Sequence, residues 1–161
     1  MSEIRRAGSA YLGSVYCILA GIWVGGMWAV GFLSAPILFD ALSDQRTLAG
    51  DLAGRQFAAM AWVGMVCASG LSALKIWWLR AAVTCDSAFW IIMTMFVLCA
   101  AGHFGVQPLI AEIKIQRAAS GGDALIAQSF ALWHGIASAM YLLQSLLGLC
   151  LLALFGWRRV G

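Results

Sequence analysis

The chain has two histidines, His103 and His134, and each falls inside a long stretch free of charged residues. An imidazole can ligate a metal or haem or carry a proton. At membrane depth an ionisable side chain is costly enough to mark a functional candidate by default. His103 belongs to an i,i+4 ladder of Met95, Cys99, His103 and Gln107, which places all four on one face of a helix. Thioether, thiol and imidazole are the donors that suit Cu(I). His134 starts a second stripe with Ser138, Tyr141 and Ser145. Both stripes have plainer readings: methionine fills gaps in apolar cores, and hydroxyls in membrane helices commonly bond a carbonyl or a neighbouring helix.

Helix arithmetic sets the depth of these residues. His103 precedes Glu112 by nine residues and His134 follows Asp123 by eleven, so at 1.5 Å per residue both lie roughly 13–17 Å from those charges. The two imidazoles are expected in one layer of the outer half of the membrane, with Met60 at a similar depth. Pro108 removes the amide that would bond the Phe104 carbonyl, so a kink and a free acceptor are expected beside His103.

The elements that hold these residues follow from composition. The chain has 161 residues, 63% hydrophobic and 11% charged, where soluble domains have about a quarter charged. Uncharged runs at 7–39, 56–74, 87–111 and 124–157 each meet the need for about 20 apolar residues in a spanning helix. Lys75 and Arg80 can snorkel from the end of the second run and extend it. The expected fold is an all-α integral membrane protein, an antiparallel four-transmembrane-helix bundle in one domain over 1–161, with spans of about 11–38, 56–79, 87–110 and 129–156. The first run is too long for a signal peptide and lacks a small-residue cleavage site, which makes it a retained helix. No internal repeat is expected.

Six basic residues, Arg5, Arg6, Lys75, Arg80, Arg158 and Arg159, fall on one side of this layout, and four, Arg46, Arg55, Lys114 and Arg117, on the other. The bias places both termini on the cytoplasmic side of the membrane. Trp77, Trp78, Trp90 and Trp157 mark the inner interface and Trp62 and Trp133 the outer one, while Trp23 and Trp28 sit mid-helix and need packing or a partner.

Gly21 and Gly25, and likewise Ala131, Gly135 and Ala139, recur every four residues as small-residue seams expected to pack the bundle. The outer loop at 40–55 holds Leu48 and Leu52 among charges, the pattern of an interfacial helix that serves as a connector or as a lid. The third helix is expected to run through Ile113 and Ile115 until Gly121-Gly122 break it, with Asp123 capping the next. Four of the five cysteines fall one per span and Cys85 in the inner loop, which argues against a structural disulfide.

Enzyme signatures are missing: the sequence has no His-Glu-x-x-His, Cys-x-x-Cys, Gly-x-Ser-x-Gly or phosphate-binding glycine loop. A net charge of +3, split between both ends, does not suit a nucleic-acid partner.

The residues also carry a resemblance. Gly21-Ile-Trp-Val-Gly-Gly, Ala35-Pro-Ile-Leu-Phe39, the run 48–57, Gln107-Pro108, Phe130-Ala-Leu-Trp-His-Gly-Ile-Ala-Ser138 and Tyr141-Leu-Leu-Gln-Ser145 follow one another in order along nearly the whole chain. Together they resemble the bacterial branch of the transmembrane protein 205-like family. The resemblance implies a four-helix membrane protein without an established activity, with Pro36, Phe39, Gly54, Arg55, Pro108 and His134-Gly135 on family-typical positions and His103 outside the pattern. More remotely the layout is similar to copper-resistance membrane proteins and to the haem-pathway oxidase that acts on protoporphyrinogen. That oxidase is expected to use a first-helix histidine, and here no histidine precedes His103.

Three functions follow as expectations. The first is binding of haem b or copper in the outer half of the bundle by His134, His103, Met60, Cys99 and Met95, supported by Gln107, Arg55, Ser138 and Tyr141, with Gly21, Gly25, Gly135, Pro36 and Pro108 as packing positions. The second is a non-catalytic accessory subunit that docks to itself or to a larger membrane complex. The third is a small transporter, although no intramembrane carboxylate supports it. The lipid bilayer is the one partner common to all three.

Overall fold

The computed structural model describes the backbone at residues 2–119 and 123–160, with side chains described over 11–117, at 119 and over 123–155. The Gly121-Gly122 break and the side chains of Arg5, Arg6, Trp157, Arg158 and Arg159 lie outside the described residues. Among the described residues only Leu42, Asp86 and Asp123 are not helical. Helix α1 (Ser2–Trp28) passes through a π-helical segment (Ala29–Ser34) into α2 (Ala35–Ala41), and a single 3₁₀ turn (Ser43–Gln45) leads to α3 (Arg46–Leu79). A second 3₁₀ stretch (Arg80–Cys85) precedes α4 (Ser87–Ala100), which passes through another π segment (Ala101–Val106) into α5 (Gln107–Ala119), and α6 (Ala124–Val160) completes the chain. Four stretches, Tyr11–Ala41, Ser43–Cys85, Ser87–Arg117 and Ala124–Phe155, are long and apolar enough to cross a membrane.

The two prolines explain the two π segments. A proline inside a helix lacks the N–H and crowds the carbonyl four residues back. Pro36 and Pro108 each stand second in the helix that follows a π segment, and the preceding residue closes a wider turn: Ala35 N–H donates to Val30 O and Gln107 N–H to Gly102 O. The kink expected at Pro108 therefore takes the form of a π-bulge. Pro36, expected from sequence only as a packing position, carries the same device.

The 40–55 stretch is mostly helix α3 itself, which starts at Arg46 and continues unbroken to Leu79, with Ala49 and Ala53 buried and Leu48 and Leu52 exposed. At one end of the bundle Lys75 Nζ donates to both Asp86 carboxylate oxygens at 3.1 and 3.2 Å, and Asp86 also caps α4 by accepting the Phe89 N–H at 3.0 Å. Lys75 lies over the Tyr16 ring, which stacks on Phe155, so all four long helices meet there. At the other end Lys114 reaches Asp51 at 2.8 Å and the Gly50 carbonyl at 3.3 Å. Between these, the Cys99 thiol donates to the Ala61 carbonyl. Each of α1, α3, α4 and α6 packs against two of the others in a closed ring.

Burial recurs at matched positions in the two halves of the ring, a pattern that is not evident in the sequence. The offset that takes Pro36 to Pro108 also takes Tyr16 to Ala88, Ala20 to Ile92, Trp23 to Met95 and Met27 to Cys99, and all eight of these residues are buried. It carries Ala29, Phe32 and Asp40 onto Ala101, Phe104 and Glu112, so each π segment begins at the same place. A larger offset, from Gly64 to Gly148, takes Met60 to Gln144 and Cys67 to Leu151, again buried onto buried. The same offset pairs Phe57 with Tyr141, and those two rings touch edge to face with centroids 5.0 Å apart. The repeat escapes a sequence reading because the connection between the paired helices is longer in the second half and few residue identities persist.

The paired glycines admit bulky neighbours. A methyl group at Gly64 would sit 2.5 Å from Trp23 Nε1, and one at Gly148 would sit 2.9 Å from Val24 Cγ2 and 3.4 Å from Met95 Cε. Gly21, Gly25 and Gly135 have nothing within 4 Å of such a group. The seams expected to pack the bundle therefore face outward, because Trp23, Val24 and Met27 occupy the inner side of α1. Gly64→Leu and Gly148→Leu are each expected to lower stability by about 1–3 kcal/mol through overpacking, whereas Gly25→Leu leaves it unchanged. Thermal unfolding in detergent, followed by tryptophan fluorescence, checks the contrast.

Candidate functional site

His103 sits in the second π segment, half-buried, with its ring edge-on to Trp62 at 5.4 Å and to Phe104 at 4.8 Å. Its Nδ1 is buried and has no hydrogen-bond partner. Gln107 is half-buried one turn further on, and Pro108 is exposed. His134 lies on the exposed side of α6, stacked on Phe130 at 5.7 Å with the rings nearly parallel, and Arg117 covers that phenyl ring. Ser138 is exposed as well and donates back to the His134 carbonyl at 2.8 Å. No ring contact joins the two imidazoles among the described residues. Helix arithmetic gives a residue's level along the axis but not the side of the helix it occupies.

The sulfur ladder turns inward where the histidines do not. Met95 is fully buried, Cys99 is 7% exposed and Met60 is 9% exposed, and sequence reasoning had named all three. Two residues that it did not name join them. Met27 lies in the same core cluster as Met60 and Met95, and the Gln144 side chain reaches the Cys99 thiol. Met27 could have been found from its spacing, four residues after Trp23 and on the same face.

Polar atoms surround this sulfur-rich layer. The Tyr141 hydroxyl donates to the Met27 carbonyl and its ring fills the space left by Gly31. Trp23 Nε1 and Ser145 Oγ are buried without a partner. The serines at 69, 129 and 138 each bond the carbonyl four residues back, which makes the unbonded Ser145 hydroxyl conspicuous. Among the described residues no group of three or more histidine, cysteine, aspartate or glutamate side chains is placed to hold a metal ion. All five thiols are free.

Arg55 is exposed one turn from Asp51, at the Lys114–Asp51 end of the bundle. It adds to the field on Asp51, whose carboxyl is held below its ordinary range first by the hydrogen bond from Lys114, then by the charges of Lys114 and Arg55.

Residues 18–119 match the model of a family described as a domain of unknown function, DUF4149. The chain belongs to this family. The DUF4149 match takes in both prolines, both π segments, Met60, Met95, Cys99 and His103, and it ends before α6, so His134 lies outside it. No curated protein and no solved structure matches the chain. An uncharacterised family is thus what the comparison supports, with four helices that suggest a multi-pass membrane protein.

Two measurements test these surroundings. His103→Phe keeps the edge-on contact with Trp62 and removes an unpartnered buried nitrogen, so it is expected to leave thermal stability unchanged or raise it by up to about 1 kcal/mol. The Asp51–Lys114 pair supplies stability above the unfolded carboxylate pKa, and that stability is lost as pH falls through the lowered folded value. Any gap in melting temperature between the native chain and Asp51→Asn at pH 7 is therefore expected to narrow as the pH is taken below the ordinary carboxylate range.

Proposed function

We propose that this DUF4149 protein is a multi-pass protein of the bacterial inner membrane, an antiparallel four-helix bundle with cytoplasmic termini, that acts as a non-catalytic docking subunit. Insertion in lipid is supported by the large apolar side chains on its outer surface, among them Ile18, Leu33, Val66, Val97, Leu132 and Leu146. The antiparallel order is supported by the partners along α3 and α4–α5, where Lys75 meets Asp86, Ala61 meets Cys99 and Asp51 meets Lys114. Orientation rests on the excess of lysine and arginine at the termini and second loop.

The observation that carries the docking role is the position of His134. It is exposed in the outer part of α6, beside Ala131, Gly135 and Ala139, which are exposed too. An imidazole facing hydrocarbon is unfavourable, and small residues let a second helix approach closely enough to supply its partner. A second copy of the chain or a helix of a larger complex would fill that role. The similarity to the transmembrane protein 205-like family belongs to this proposal and adds a fold without an activity. Haem ligation by His103 and His134 within one chain has no support from their separate ring contacts.

A second reading, soft-metal handling, is favoured by the burial of Met60, Met95 and Cys99 in the core. For the docking role, crosslinking in native membranes is expected to trap the chain with itself or with a fixed partner. His134→Ala and Gly135→Leu should each reduce that product severalfold while leaving the melting temperature of the purified chain in place. Recovery of monomer alone from native membranes would sink the docking role.

A further inference from the structure

One layer of the core differs chemically from the rest. Met27 on α1 and Cys99 on α4 are counterparts, as are Met60 on α3 and Gln144 on α6, and all four are buried. Contacts made by their sequence neighbours place them at one level. A methyl group at Gly26, next to Met27, would meet Met60 Sδ at 2.8 Å. Cys99 Sγ lies 3.3 Å from the carbonyl of Ala61, next to Met60. The Gln144 side chain reaches the Cys99 thiol, and Tyr141, one turn from Gln144, bonds the Met27 carbonyl. Each helix of the ring thus contributes one residue: two thioethers, a thiol and an amide. Ser145 and Trp23, both fully buried, add polar atoms without partners at neighbouring positions.

From this layer we infer a binding site for a monovalent soft metal ion, Cu(I) or its mimic Ag(I), ligated by Met27 Sδ, Met60 Sδ and Cys99 Sγ, with Gln144 beside the thiol. Donor softness selects the ion, since thioethers and a thiolate favour Cu(I) over zinc or magnesium. Charge selects it as well. Binding replaces the Cys99 S–H proton by the metal and releases that proton to solvent, so a +1 ion on one thiolate leaves a neutral centre. A divalent ion would leave a net charge in an apolar interior, which is costly. No histidine takes part. The inference is independent of the docking role.

The test uses the full chain in detergent under a reductant, with Cys17, Cys85 and Cys150 changed to serine so that the more accessible thiols cannot compete. Cu(I) is titrated against a chromophoric chelator, and X-ray absorption reads the ligand type. The expected result is one Cu(I) per chain, sulfur-ligated and held against the chelator. Met27→Leu and Met60→Leu, which conserve volume, should each weaken binding at least tenfold, and Cys99→Ser should abolish it, while His103→Phe and His134→Ala have no effect. A tryptophan-fluorescence melt confirms that each variant is folded. Absence of chelator-resistant Cu(I), or binding that survives Cys99→Ser and Met60→Leu in folded protein, overturns the site.

Discussion

The ion pair between Lys75 and Asp86 is the constraint on which the rest of the bundle depends. Both side chains are largely withdrawn from solvent, at 14% and 6% exposure. Removing one partner of such a pair leaves a buried charge uncompensated, at a cost of about 3–5 kcal/mol. The pair fixes several features at once. Asp86 starts α4 by capping it, Lys75 ends the apolar part of α3, and the lysine's contact with Tyr16 brings in α1 and, through the ring stack, α6. The ion pair at the opposite end, Lys114 with Asp51, is 35% and 54% exposed, and an exposed pair of that kind contributes well under what a buried one does. The bundle is therefore held firmly at one end and lightly at the other, and both π segments lie between the firm end and the light one.

That asymmetry shows which parts of the fold a sequence can reveal. Four apolar runs bounded by charges are a matter of composition, and all four correspond to long apolar helices. The chemistry of Pro108 was also legible, because a missing N–H has a fixed consequence for the carbonyl behind it. The outer connection was not. Charges and leucines at 40–55 fit an interfacial helix, yet a spanning helix that begins beyond the membrane produces the same pattern. Only the continuity of α3 from Arg46 distinguishes the two.

The candidate site divides along a similar line. Residue type singled out His103, His134, Met60, Met95 and Cys99; depth arithmetic grouped the two histidines with Met60, and the i,i+4 ladder joined Met95 and Cys99 to His103. What decides their surroundings is the side of the helix each occupies, and that depends on packing that is non-local in sequence. Trp23 seats against Gly64, and Met95 and Val24 against Gly148. These contacts turn Met95 and Cys99 inward on α4, and on α6 they bury Gln144 and Ser145 while His134 stays outside. Glycines with conspicuous spacing, Gly21 and Gly25, proved to be outward-facing, whereas the isolated Gly64 and Gly148 hold the core together. In this chain the size of the residue that a glycine accommodates says more than the glycine spacing.

The repeat supplies an internal reference for what packing alone requires. At matched positions the first half has Gly31, Ala35, Phe57, Met60 and Ala61, and the second half has His103, Gln107, Tyr141, Gln144 and Ser145. The first set fills these places with apolar or small residues. Each polar replacement in the second set costs free energy unless it finds a partner, and His103 Nδ1 and Ser145 Oγ have none. The exchange also runs the other way, since Ser34 donates to Gln56 at 2.8 Å where the second half has Val106 and Met140. Polar side chains therefore stand at different levels in the two halves, and core filling alone requires them in neither.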